Sequence, residues 1–458
     1  MHLGLFFLSL SVVMKLQNGL NLKSYLKGVK DISWLDTTVS SGSGDISLTT
    51  ARDIKGSMIK VSGNHNDGKV TAVIGNEASD ADSIVSSICY AYLKAHHYNN
   101  NTMSDTAAAA VIPIASISRS NLHFRRELDV LLKTIDLELN DLLCIDEVPL
   151  SGIHDSNKLS LVLTDHNKLS STLSPFSSSV IEIVDHHVDS NQYSWVRGIS
   201  RDIAFDSINS KALVGSTCTL IAERYFQLSD CDSALSAEIA TLLMGVISLD
   251  TINMDPQAGI GTPRDSSALS RLRSISPHDQ YHLFESLRDA KWDPIFWRDL
   301  SVMDSLIIDY KLFTIPSAAS NPIGISSILQ TINDFTTKSD VRLDITQFMK
   351  EQSLSMLVVM SFVQTPVPRR ELLVITENSQ LLEALDRFLM NTTTHNLDCI
   401  LEESLTSRMQ QVLNATNQVA GMAVVEPLLC SIYTQGNSKA SRKQVAPLML
   451  AFYESYSK

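Results

Sequence analysis

At 458 residues the chain is long enough for two or three domains, and 44% hydrophobic against 19% charged residues excludes general disorder. A formal net charge of −13 repels polyanions over most of the surface, so neither a nucleic-acid scaffold nor an anionic membrane is expected as a partner. A polyanionic ligand would need a local cationic pocket or bound metal ions.

The first segment, 1–68, is expected to be a leader followed by irregular chain. Its apolar run "LGLFFLSLSVVM", Leu3 to Met14, is too short to span a bilayer and has the length of a signal-peptide core. The basic n-region and small-x-small cleavage site of a secretory signal are missing, so a cytoplasmic location is expected. Thr37 to Gly68 is rich in Ser, Gly and Thr without a sustained period and reads as linker. The six cysteines, Cys89, Cys144, Cys218, Cys231, Cys399 and Cys430, form no C-x-x-C pair, and are expected as buried free thiols.

From Lys69 short apolar runs alternate with helical patterns, the signature of βαβ units and a mainly parallel sheet. The runs are "KVTAVIG", "AAVIPIA", "DLLCIDE", "LSLVLTD" and "VIEIVDHH". Between the first two, Ile84, Val85, Ile88, Ala91 and Tyr92 recur at helical spacing, with Asp82 or Ser83 at the N-cap. A helix over "SALSAEIATLLMGVISLDT" ends near Asp250. After the charged stretch "TPRDSSALSRLRSISPHDQ" a second, smaller α/β domain follows, with strands at "SMLVVMSFV" and "ELLVITE" and a helix at "SQLLEALDRFLM". The expected domains are 69–270 and 284–458.

Ligands of parallel sheets collect outside the carboxyl ends of the strands. Asp80 and Asp82 follow the first run, Asp165 and His166 follow "LSLVLT", and Asp185, His186 and His187 follow "IEIV". A lone Asp after a strand is normally a helix cap. Capping does not call for an adjacent His-His pair, and converging carboxylates without cations would repel one another. Oxygen and imidazole ligands together suit Mn²⁺ or Mg²⁺ better than a thiolate-seeking metal, and a shared carboxylate fits a two-metal site for phosphoryl hydrolysis.

Four motifs in order, "GNEASDADS", "LTDHN", "VDHH" and "GVISLDTINMD", together with "GSTCTLIAER", resemble the DHH phosphoesterase superfamily and, within it, the branch of eukaryotic exopolyphosphatases and prune proteins. Downstream, "DYKLF" and "SRKQVAPL" resemble the C-terminal DHHA2 domain of that branch. The resemblance implies a parallel-sheet catalytic domain and a smaller α/β substrate-binding domain.

It also implies two divalent ions, Mn²⁺ or Mg²⁺, held by Asp80, Asp82, Asp165, His186 and Asp250, with Asp165 as the bridge. Asn76 is counted with this set because it stands where the pyrophosphatase branch has a histidine ligand, a change that disfavours pyrophosphate as substrate. His187 would face the scissile phosphate, and Arg442 and Lys443 would bind phosphate oxygens across a cleft. Lys311 is a further substrate-binding candidate. His166 would position the leaving phosphate or orient Asp165. Arg119, Arg125 and Arg126 would hold a distal phosphate or form salt bridges at a helix start, and Asp309 is expected to cap or pair locally. The implied activity is release of orthophosphate from the end of short inorganic polyphosphate. A phosphodiesterase acting on cyclic nucleotides and a prune-like interaction protein are the alternatives.

Overall fold

The computed structural model describes residues 21–30, 69–101, 110–228, 234–313, 322–364, 367–414 and 427–456. They belong to two units, Met1–Lys291 and Trp292–Lys458. The apolar run from Leu3 to Met14 and Cys231 lie outside the described residues.

In the first unit, β1 (Val70–Ile74), β2 (Ala110–Ile114), β3 (Leu159–Thr164), β4 (Val180–Asp185) and β5 (Arg201–Ile203) form a sheet in the order β2-β1-β3-β4-β5. Every neighbouring pair is parallel. The central strands read as unbroken apolar runs because both faces are covered: Ala72, Val73 and Ile74 of β1 and Leu161, Val162 and Leu163 of β3 are fully buried. Chain order reverses between β1 and β3, and such a switch point opens a crevice at the strand C-termini. Of the residues expected to bind metal, Asn76, Asp80, Asp82 and Asp165 follow these two strands, while His186 follows β4 and Asp250 ends a helix.

One expected strand is absent. "DLLCIDE" forms two 3₁₀ turns, Leu139–Asp141 and Ile145–Glu147, with a single parallel bridge from Cys144 to Ala115. The acids explain it: Asp141 accepts from the Glu138 amide and Glu147 from the Cys144 amide, so side chains close the turns that a strand would have opened.

The N-terminal segment also differs from expectation. Within it, Leu22–Lys30 is a helix, α1, burying Leu22, Tyr25, Leu26 and Val29. Tyr25 Oη donates to the Val111 carbonyl at 2.8 Å, tying α1 to the edge strand β2. The 0, 3, 4, 7 spacing of those four residues is an amphipathic signature that irregular flanking sequence obscured.

Further helices of this unit include α2 (Ala81–Asn101), α3 (Arg126–Lys133), α4 (Thr217–Phe226), α5 (Ala237–Asp250), α6 (Pro263–Leu272) and α7 (Gln280–Lys291), besides a short one at Leu150–Asp155. Helix α6 replaces the charged connector expected there. Thr262 and Asp265 form a reciprocal capping box with Pro263 at the first helical position, a combination that starts a helix whatever the surrounding charge. Helix α7 packs against α3 and α5, so the first unit runs to Lys291.

The second unit has a mixed sheet, following a small hairpin of β6 (Phe205–Asp206) and β7 (Lys211–Ala212) in the first. Its strands are β8 (Tyr310–Phe313), β9 (Ile323–Ile328), β10 (Met356–Val363), β11 (Arg369–Thr376), β12 (Cys399–Leu401) and β13 (Leu429–Gln435), in the order β12-β13-β11-β10-β9-β8. Only the β9–β10 pair is parallel. Helices α8 (Ser379–Asn391) and α9 (Arg442–Tyr456) cover one face, closing a core that includes Val358, Leu372, Val374, Leu385, Tyr433 and Met449. The five described cysteines are buried and free. No helix among the described residues is long and apolar enough to cross a membrane.

Candidate metal centre

The turn out of β1 is tight because residue 75 is glycine. A Cβ there would stand 2.6 Å from the Ser83 carbonyl oxygen, closer than a real Cβ comes. Without it, the start of α2 lies directly over the strand end. Asp80 caps α2, its Oδ1 accepting from the Ser83 amide at 3.0 Å and its carbonyl from Ile84 at 3.0 Å.

Asp82 is buried and reaches the start of α4. Its Oδ1 accepts from Ser216 Oγ at 2.8 Å and the Cys218 amide at 2.9 Å, and its Oδ2 from the Thr217 amide at 2.7 Å. A helix N-terminus, with its unpaired amides and positive dipole end, favours this negative charge. Neither Asp82 nor Ser83 is thus the cap of α2, a place that Asp80 takes; Asp82 caps α4 instead.

Asp165 occupies the end of β3 in the left-handed region, φ 60°, its amide bonded to the Val184 carbonyl at 3.0 Å. Its Oδ2 accepts from Ser83 Oγ at 2.6 Å and Asn76 Nδ2 at 2.7 Å, and its Oδ1 from Thr217 Oγ1 at 3.3 Å. The same Oδ1 lies 3.5 Å from His186 Nε2 and 3.6 Å from His187 Nδ1. Ligand atoms of Asp165, His186 and His187 all fall within 4.8 Å of one another.

The two histidines are held differently. His186 Nδ1 lies 3.0 Å from the Val214 carbonyl, which can only accept, so the proton sits on Nδ1 and the Nε2 lone pair is left on the side of Asp165. His187 Nδ1 donates to Asp185 Oδ1 at 2.8 Å. Asp185 is completely buried, and the same oxygen also accepts from the His186 and His187 amides, while Asn167 Nδ2 donates to Oδ2 at 2.6 Å. Burial alone would raise the Asp185 pKa. The facing His187, with His186 and Asn167, overcomes it and holds the carboxyl well below the usual range.

Asp250, at the C-terminus of α5, is partly buried, and its Oδ2 is fully buried without a hydrogen-bond partner among the described residues. The chain beyond it is strained: Ile252, Asn253 and Met254 have φ of 50°, 49° and 62°, unusual for any non-glycine and most of all for β-branched Ile252. Gln280 Nε2 of α7 holds this turn through Asn253 Oδ1 at 2.6 Å.

The carboxylates share one field. Burial first, and then Asp80, push Asp82 up to about 6 against the pull of its Ser216, Thr217 and Cys218 bonds. Burial first, then Asp82 and Asp80, push both Asp165 and Asp250 well above the ordinary carboxylate value. Mutually repelling buried acids, an orphaned carboxylate oxygen and an imidazole nitrogen aimed at the same place form a donor set that suits hard divalent cations.

Such a site has a measurable signature. A carboxyl whose pKa is raised by folding stabilises the fold while protonated, fully so below its unfolded value near ~3.9, and that contribution is lost as pH climbs through the folded value. The cited shifts of Asp82, Asp165 and Asp250 have this sign, and that of Asp185 opposes them. We expect the Tm of protein in chelator to fall from pH 5 to pH 8, and Mn²⁺ to raise it more at pH 8 than at pH 5. A Tm in chelator that rises across this interval, with a metal effect no larger at pH 8, would contradict the assignment.

Other residues singled out by sequence have definite places. Asn76 orients Asp165: its Oδ1 accepts from the Ala78 amide at 2.8 Å, and its Nδ2 donates to Asp165 Oδ2 at 2.7 Å. His166 Nδ1 bonds the Thr164 carbonyl at 2.9 Å. Arg119 is engaged by Glu147, to which Nε donates at 2.8 Å and Nη2 at 2.6 Å, and by the Leu139 and Leu142 carbonyls, the salt-bridged alternative to phosphate binding. Arg125 is buried, its Nε donating to the Ser79 carbonyl at 2.7 Å, so it braces the Asn76–Asp80 loop.

In the second unit Lys311 lies on β8, and Arg442 and Lys443 open α9. Arg442 donates from Nη1 to the Asp309 carbonyl at 2.7 Å and from Nη2 to Asp309 Oδ1 at 2.6 Å.

Sequence reasoning named Ser83 only as a possible cap and passed over Thr217, the two hydroxyls that bond Asp165, and passed over Asp265. Asp265 is fully buried and accepts from the Gly215 amide, from Thr219 Oγ1 at 2.6 Å and from Thr262 Oγ1 at 2.7 Å, fixing the loop that Asp82 grips. A capping-box spacing in "TPRD" was the available signal.

The family model described as "DHH family, N-terminal domain" matches residues 70–247, and that described as "DHHA2 domain" matches residues 287–452. The chain is 27% identical over 388 residues to the exopolyphosphatase PRUNE1 of Mus musculus, covering 84% of this chain and 75% of that protein. It is 23% identical over 342 residues to the manganese-dependent inorganic pyrophosphatase of Methanothrix thermoacetophila, covering 74% and 95% respectively. Among solved structures, "Crystal structure of Methanococcus jannaschii putative family II inorganic pyrophosphatase" aligns with a TM-score of 0.52 at 18% identity, covering 84% of this chain and 99% of that one, a likeness of fold.

Proposed function

Because the chain belongs to the DHH family and carries a C-terminal DHHA2 domain, we propose that this phosphoesterase is a metal-dependent exopolyphosphatase that releases orthophosphate from the ends of short inorganic polyphosphates. The observation that carries this is the cluster of Asp165, His186 and His187, set in one electrostatic field with Asp80, Asp82 and Asp250. Two divalent cations, Mn²⁺ or Mg²⁺, held by Asp80, Asp82, Asp165, His186 and Asp250, would supply activation of water near neutral pH and neutralise phosphoryl charge.

The chain's own groups do the rest. Ser83, Asn76 and Thr217 fix both oxygens of Asp165, so no rotation is needed when it binds. Asp185 holds His187 by Nδ1–H, which leaves Nε2 as the atom that meets the phosphoryl group. Arg442, kept extended by Asp309, together with Lys443 and Lys311, is assigned to phosphate oxygens, and His166 to the leaving phosphate.

Asn76 favours polyphosphate over pyrophosphate as substrate. Its carbonyl accepts from Ala78 and its amide donates to Asp165, so Asn76 is assigned to positioning Asp165, where the resemblance gives the pyrophosphatase branch a histidine ligand.

The test is a substrate panel of pyrophosphate, tripolyphosphate, longer polyphosphates and cyclic nucleotides, run with Mg²⁺, Mn²⁺ and chelator. We expect fastest orthophosphate release from tripolyphosphate or slightly longer chains and none in chelator. Preferred turnover of pyrophosphate or a cyclic nucleotide, or no turnover of any, would overturn the proposal.

A further inference from the structure

Successive residues of a strand face opposite sides, and the pair Arg369-Arg370 at the start of β11 shows what this separates. Arg369 pairs with Glu371, which is 1% exposed and also accepts from the Ile332 amide at 2.7 Å. Arg370, on the other face, has no carboxylate partner among the described residues. Its Nε donates to the Ser438 carbonyl at 2.7 Å, and its guanidinium lies 4.3 Å from the centroid of the Phe362 ring.

Ser438 belongs to the loop leading into α9, the loop that carries Lys439 and ends at Arg442 and Lys443. The strand neighbour of Arg370, Gln435, braces the same loop by donating to the Asn437 carbonyl and, at 2.8 Å, to the Ala440 carbonyl. A partly buried guanidinium is costly without a counter-charge. Burial draws the Arg370 pKa down to about 10, with no acid to offset it. The Phe362 ring compensates only weakly, and it also fixes the plane of the guanidinium. The arrangement leaves a pre-oriented, multi-donor cation bonded to a loop whose sequence carries further cations, and the ligand chemistry that matches is a multiply charged oxyanion.

We propose that Arg370 is a further phosphate-binding residue of the second unit, its Nη groups taking a phosphoryl oxygen while Nε steadies the Ser438 loop ahead of Arg442 and Lys443. This rests on the exopolyphosphatase reading above.

The test compares full-length wild type with Arg370→Gln, which keeps a donor for the Ser438 carbonyl but loses the charge, and Arg370→Lys, which keeps the charge but loses the fork. Tripolyphosphate kinetics are measured with metal, tripolyphosphate binding by calorimetry in chelator, and Tm on each variant. Loss of one charge-assisted contact predicts KM and the dissociation constant raised about tenfold or more in Arg370→Gln, a smaller rise in Arg370→Lys, and kcat within about twofold of wild type.

Unchanged KM and unchanged binding in Arg370→Gln would overturn the inference. Equal losses in both variants accompanied by a fall in Tm would overturn it too, since that pattern marks a loop brace alone. Wild type that hydrolyses no polyphosphate would defeat the functional reading instead, and the calorimetry in chelator would still decide whether Arg370 binds the anion.

Discussion

Asp165→Asn is expected to lower kcat/KM for tripolyphosphate by about 10³-fold or more while raising the Tm measured in chelator. The two effects have opposite signs for one reason. Asp165 is buried among Asp80, Asp82 and Asp185, and without a cation its charge is repelled from every side. Removing that charge relieves the metal-free fold. It also removes the carboxylate that faces both His186 and His187, the one proposed to bridge two cations. Asp165→Ala should lose as much activity but leave the donors of Ser83 and Asn76 without an acceptor, so its Tm should fall where that of Asp165→Asn rises. Steady-state kinetics and calorimetry on the two variants check this. Activity of Asp165→Asn within tenfold of wild type would contradict it.

The adjacent histidines should separate cleanly. His187→Ala is expected to reduce kcat by about 10²–10³-fold with Mn²⁺ affinity nearly unchanged, because its Nδ1 is held by Asp185 and its proposed role is at the phosphoryl group. His186→Ala is expected to weaken Mn²⁺ binding at least about tenfold, because its Nε2 lone pair is set toward Asp165 by the bond from Nδ1 to Val214. Equilibrium Mn²⁺ titration together with kcat distinguishes the roles. A His187→Ala protein that loses metal as severely as His186→Ala would make His187 a ligand as well.

Much of the site was legible because it lies at the ends of strands whose runs are unmistakable. "TAVIGN" and "LSLVLTD" bury their apolar residues on both faces and "IEIVD" buries its last three, so each had to stop where its first polar residues begin, and those residues had to lie along one sheet edge. What sequence could not supply was the choice among acceptors. Asp82 could be seen as a cap, but its caps are the amides of Thr217 and Cys218, about 135 residues away, which no local pattern reveals.

Arg119 was one of three arginines that sequence left open between phosphate and a salt bridge, and in the structure it pairs with Glu147. The partner becomes visible only once "DLLCIDE" is understood as turns closed by its own acids. Helix α6 and buried Asp265 were missed because charge was weighed above a capping box, although Asp265 fixes the Gly215 loop. A Cβ on Gly215 would lie 2.7 Å from Thr251 Cγ2, so that loop, too, depends on a glycine.

The central claim is that Asp80, Asp82, Asp165, His186 and Asp250 surround a pair of divalent cations. Anomalous diffraction at the manganese edge, on crystals of the full chain grown with Mn²⁺, tests it most directly. The prediction is two peaks per chain, one on each side of Asp165, with Asp250 Oδ2 on one of them. An active, metal-loaded crystal with no peak among these carboxylates, or with a single ion held by Asp165, His186 and His187 alone, would contradict the account.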